Sequence, residues 1–97
     1  MSAAFTWDPA KARSNLGKHS VSFEDATAVF DDPLATYEPS DTVEGEARWR
    51  VIGVCRRSAL LFVIYATWDE EDGTEIYRII SAREATRRER VIYEQDL

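Results

Sequence analysis

The chain has 97 residues, with 12 lysines and arginines against 18 aspartates and glutamates, for a formal charge of −6. That length predicts one domain over residues 1–97, built on a single hydrophobic core. The acidic balance argues against nonspecific nucleic-acid binding, which depends on accumulated positive potential. The longest apolar run, residues 59–68, has about half of the roughly twenty residues a helix needs to cross a bilayer.

The N-terminus lacks the basic and apolar regions of a signal peptide, so the cytoplasm is the expected location. Cys55 is the one cysteine and is expected as a small residue in a strand. Charge is unevenly spread. Residues 1–47 hold three cations against nine acids, whereas residues 48–97 hold nine arginines against nine acids. Clustering of these arginines leaves room for a local basic surface on an acidic protein.

Phe5-Thr6-Trp7 alternates as a short first strand. Asp8-Pro9 then predicts a helix start, with aspartate as N-cap and proline where its missing N–H is not needed. That helix turns Ala12 and Leu16 inward and is expected to end near Gly17. Ser22 and Asp25 mark a second capped start, with Val21 and Ala26 placed as a hydrophobic staple and Phe23, Ala26, Thr27 and Phe30 as its buried stripe. Asp31-Asp32-Pro33 stops it, because a residue before proline is pushed out of the helical region.

From Leu34 the period changes to that of strands. Residues 34–37 predict a short one, and 39–45 a polar, acidic loop. Trp49 to Cys55, Leu60 to Thr67 and Thr74 to Ser81 are rich in Val, Ile, Tyr and Phe and short enough for strands. Turns at 56–58 and 69–73 join them as hairpins. The expected class is α+β, in the order β-α-α-β-β-β-β-α, with an antiparallel sheet covered by helices.

The last helix is predicted from Ser81, which with Glu84 fits a capping box. Arg83, Arg87 and Arg90 would then share one face. Arg83 would sit in the first helical turn, where the macrodipole disfavours a cation and an anion held jointly with the free N–H groups would explain it. Glu84 with Arg88 and Arg90 with Glu94 would form exposed helix pairs of small effect.

Residues 5–33 and 78–93 carry the patterns W-D-x-x-K, K-H-x-V-x-F, F-D-D-P and I-S-A-R. In this combination and order the chain resembles the BrnT family of bacterial type II toxins. The resemblance implies a RelE-like ribonuclease that blocks translation by degrading RNA. It further implies a cognate BrnA-type antitoxin, with two toxins bridged by an antitoxin dimer whose own domain contacts operator DNA. Two departures are visible: Ser20 stands where the family usually has glycine after the histidine, and the acidic turn at 69–72 is enlarged.

RNA cleavage without a metal needs a base for the 2′-hydroxyl, an acid for the leaving oxygen and cations for the charge that builds on phosphorus. His19 is the one imidazole, a group that titrates close to neutrality; its alternative role is to cap or pack the turn between the helices. Arg83 is the first choice for phosphate contact, with Arg50 and Arg78 as further catalytic candidates. Lys11 and Lys18, with Arg87, are candidate substrate contacts, and Tyr65 and Tyr93 are candidates for base stacking unless they are buried against the sheet. Ser81 reads as a cap rather than a nucleophile. No metal-ligand spacing, glycine-rich phosphate loop or cofactor motif is found, so no cofactor is expected. The competing interpretation is a non-enzymatic co-repressor subunit that docks an acidic, antitoxin-like partner segment with the same face.

Overall fold

The computed structural model describes residues 3–95. Its elements are β1 (Ala3–Thr6), α1 (Pro9–His19), α2 (Phe23–Thr27) continued by a 3-10 turn (Ala28–Asp31), β2 (Thr36–Pro39), β3 (Trp49–Val54), β4 (Leu60–Asp69), β5 (Glu75–Glu84) and α3 (Arg87–Gln95). The five strands form one sheet in the order β1-β5-β4-β3-β2. This sheet is mixed, not antiparallel throughout. β2 to β5 follow one another through antiparallel neighbours, but β1 lies parallel to β5, because the two helices after β1 carry the chain across to β2 at the opposite edge.

The N-caps predicted for the first two helices form. Asp8 accepts the Ala10 N–H at 2.8 Å and Ser22 accepts the Asp25 N–H at 3.0 Å. The end of α1 differs from the expectation. Gly17 stays helical, and Ser20 takes the left-handed conformation at φ 58°, its N–H donating to the Leu16 carbonyl at 2.9 Å. Hydrogen bonding to the last turn fixes which residue must bend, so serine carries a conformation that glycine adopts without a Cβ penalty.

A larger correction concerns residues 81–84, which are strand and not helix. Leu61 pairs with Glu84, Phe62 with Arg83 and Val63 with Ala82, so the ladder to β4 outweighs the local capping signal. The capping box that operates lies five residues on. There the Thr86 N–H donates to Glu89 Oε1 at 2.9 Å and the Glu89 N–H donates to Thr86 Oγ1 at 3.2 Å. Arg83 therefore does not share a helix face with Arg87 and Arg90.

Pairing between β4 and β5 slips by one residue. Ile64 faces Ser81 and Tyr65 faces Ile79, which leaves Ile80 without a partner in β4. Side chains change faces at such a bulge. One face of the sheet carries Val51, Leu61, Val63, Tyr65, Ile79 and Ala82 and packs under α1, α2 and the 3-10 turn, with Phe23, Ala26 and Val29 fully buried against it. Gly53 lies on this face because a Cβ there would stand 3.1 Å from the Val29 Cβ. The opposite face is only partly covered: α3 lays Ile92 and Tyr93 over Ile52, Leu60 and Phe62.

Asn15 closes the edge that β1 leaves open. β1 pairs with Glu75 to Arg78 and no further, so the outward N–H and carbonyl of Ala82 need partners. Asn15 Oδ1 accepts the Ala82 N–H at 3.1 Å, and its Nδ2 donates to the carbonyls of Ala82 at 2.7 Å and Val21 at 3.0 Å. One buried amide thus ties α1, the turn after it and β5 together. Replacing Asn15 with alanine leaves three main-chain groups unpaired, and Asn15→Ala is expected to lower unfolding free energy by ~2–4 kcal/mol in urea titration. Ser20→Gly is expected to act in the other direction, raising it by ~0.5–1 kcal/mol in the same assay.

Candidate nucleic-acid interface

The bulge at Ile80 determines which arginines meet. Arg78 and Arg83 are five residues apart, an odd spacing that in a regular strand sends side chains to opposite faces. Because Ile80 is skipped, Arg78 pairs with Ala66 and Arg83 with Phe62, and both project from the face that α3 partly covers. Arg50 pairs with Ile64 and joins them there, in a cross-strand row that runs Glu38, Arg50, Ile64, Ser81. Three guanidinium groups far apart in sequence are thereby brought to one surface.

Each of them is held by a carboxylate. Arg50 donates to Glu38 Oε2 from Nε at 3.1 Å and from Nη2 at 2.7 Å. Arg78 and Arg48 share Glu46. Burial pushes the Glu46 carboxyl up, but Arg78 and Arg48 outweigh it and hold it below the usual glutamate range. The Arg78 guanidinium also lies 5.9 Å over the Trp68 ring.

Arg83 is engaged differently from the sequence expectation. Its Nη1 and Nη2 form a fork to Glu89 at 2.8 and 2.9 Å, its Nη1 also donates to the Glu84 carbonyl at 3.2 Å, and it stacks 4.3 Å over Phe62. The bond to Arg83 holds Glu89 below the usual carboxylate range, and the same bond raises Arg83. With a third of its side chain exposed, Arg83 anchors α3 to the sheet.

The remaining candidates fall into three places. Lys11, Lys18 and His19 line a cleft of about 180 Å³ with Ile80 and Ser81, against the edge of β5 next to the arginine face. Ser81 sits on a strand there, so it caps no helix. Arg87 opens α3 and is exposed. The two tyrosines lie elsewhere. Tyr93 is buried under α3, where burial and its hydrogen bond to Asp32 at 2.7 Å push it up to about 12. Tyr65 is on the helix-covered face, pushed to about 12 by burial.

Sequence reading missed Asn15, Glu38, Glu46 and Glu89 as position-setting groups, and Asp32 as more than a helix stop. Asp32 accepts from Tyr93, from the Val54 N–H at 2.9 Å and from the Leu34 N–H at 2.9 Å. Burial alone would raise it, but these donors keep it below the ordinary aspartate value. The T-x-x-E pattern at Thr86 was the one available signal for Glu89. Among the described residues no three His, Cys, Asp or Glu side chains group to hold a metal ion. Also among them, no helix is long and apolar enough to cross a membrane.

Known proteins share the sequence pattern and the fold. The family described as "Ribonuclease toxin, BrnT, of type II toxin-antitoxin system" matches residues 7–89. In the solved structures, the BrnT ribonuclease toxin of Brucella abortus is similar over 90% of this chain and 100% of that chain, at 22% identity and a TM-score of 0.60. That likeness concerns the fold. A comparison with curated proteins finds no match.

Glu89 both holds Arg83 and caps α3, so Glu89→Gln is expected to lower stability by ~1–2 kcal/mol at neutral pH. A carboxylate whose folded value is depressed stabilises above its unfolded value, ~4.3, and loses that contribution as pH falls through the folded one. The gap between wild type and Glu89→Gln in urea midpoint is therefore expected to narrow below about pH 4. A gap independent of pH would count against the ion pair.

Proposed function

The chain belongs to the BrnT family of ribonuclease toxins of type II toxin-antitoxin systems, and from that premise we propose that its arginine face binds the scissile phosphate of RNA. The observation that carries this reading is the bulge that turns Arg78 onto the same surface as Arg50 and Arg83. Guanidinium groups fixed in advance by Glu38 and Glu46 meet the developing charge without reorganising. Glu38 and Arg50 are each 42% exposed in their side chains, so a phosphate exchanges for the carboxylate at little cost.

In the reaction we propose, the 2′-oxygen loses its proton and attacks phosphorus, and the bond from phosphorus to the 5′-oxygen breaks. The 5′-oxygen takes a proton, leaving a 2′,3′-cyclic phosphate and a 5′-hydroxyl. His19, beside Ser81 at the sheet edge, carries one of these proton transfers, and Lys11 and Lys18 extend the cationic track along β5. The chemistry calls on imidazole and guanidinium groups and is metal-independent. Arg83 contributes chiefly by fixing α3 over the sheet.

In this proposal the fold is RelE-like, the RNA cleavage inhibits translation in the cytoplasm, and a BrnA-type antitoxin neutralises the protein in an assembly of two toxins bridged by an antitoxin dimer. The acidic net charge supports delivery of RNA by a partner rather than by long-range attraction.

Purified protein freed of antitoxin and incubated with total RNA tests the proposal. Arg50→Ala and Arg78→Ala are each expected to slow cleavage by roughly 100-fold with little change in thermal midpoint. A double variant that cleaves at the wild-type rate would remove the arginine face from the mechanism. No cleavage by wild type over a wide protein range would leave the co-repressor interpretation standing instead.

A further inference from the structure

The sheet's other face holds a second feature. Beyond the reach of α1 and α2 it opens into a hollow of about 840 Å³ walled by Phe5, Phe30, Tyr37, Tyr65 and Tyr77. The rings are mutually packed, with centroids 5.0 to 6.2 Å apart, so the walls are built before any ligand arrives. Phe5 and Tyr37 are nevertheless 38% and 48% exposed. Asp31, Asp69 and Glu75 line the same hollow, and no lysine, arginine or histidine among the described residues does.

Tyr65 is 5% exposed and forms the floor between these walls. The hollow runs from β1 to β2, across the whole sheet. Four interstrand spacings make that ~19 Å, the length of about six extended residues.

We propose that this hollow is the docking site for an extended segment of the antitoxin that carries arginine or lysine side chains. Aromatic faces and carboxylates both attract such cations, and three carboxylates repel a phosphate backbone. The proposal rests on the family reading only for the existence of an antitoxin. The site lies on the face opposite the arginines, so the segment docks without competing for the RNA surface.

The probe is a capped hexa-arginine peptide titrated into the full-length, isotope-labelled protein, read at the resonances of Trp49 and Tyr77, which line the hollow. Wild type is expected to bind with shifts confined to hollow residues. The double variant Asp69→Asn with Glu75→Gln, and separately Tyr37→Ala, are expected to bind at least about tenfold more weakly. Glu70→Gln with Glu71→Gln removes the same charge in the adjacent turn and is expected to leave affinity within about twofold.

Equal weakening by both double variants would reduce the effect to overall charge and overturn the site. Competition by a six-nucleotide oligoadenylate would assign the hollow to RNA bases instead. Peptide shifts that persist with antitoxin bound would overturn the occupant. Arg78→Ala is expected to bind the peptide normally, so failure of the ribonuclease reading and failure of this one give different results.

Discussion

One unpaired residue, Ile80, sets the chemistry of both faces of this sheet. Before it, β5 turns Ile79 and Tyr77 toward α1 and α2; after it, Ala82 occupies the same side. The skipped position keeps the core continuous while Arg78, Ser81 and Arg83 all emerge on the other side. A bulge of this kind costs ladder hydrogen bonds and is held only where its surroundings specify it. Here Asn15 specifies it, by binding both polar main-chain groups of Ala82 two residues beyond the slip. The first helix is thus the template for the register of the last strand.

Charge is arranged by the same geometry. The protein is acidic as a whole, yet one surface collects Arg48, Arg50 and Arg78 with only two glutamates between them. Those carboxylates hold the guanidinium groups in place and limit their mutual repulsion until a stronger anion arrives. The far face carries the aromatic hollow with Asp31, Asp69 and Glu75 at its lining. A sheet one layer thick therefore separates the proposed phosphate surface from the proposed peptide-docking hollow.

Two half-buried carboxylates hold α3 to this platform. Glu89 receives the Arg83 fork and the Thr86 N–H, while Asp32 joins Tyr93 to the end of β3 and to the loop before β2. Both carboxylates lie below their ordinary ranges, so both contacts persist at neutral pH. Arg83 is committed to this attachment, which leaves Arg50 and Arg78 as the main arginines of the proposed phosphate site.

The sequence by itself determined the local events: the Asp8 and Ser22 caps, the stop at Pro33, and the three long strands with their hairpin turns. Each rests on bonds within a few residues, which local patterns encode. It also carried the family patterns, and with them the coarse function. The extension of β5 through Glu84, the parallel partner β1 and the bulge at Ile80 came from the tertiary structure alone. Ser81 and Glu84 satisfy a capping pattern as well as Thr86 and Glu89 do, and only pairing with β4 selects between them. The faces on which Arg78 and Arg83 emerge depend on a one-residue slip that leaves no mark in the spacing, because strand register is a property of two segments and not of one.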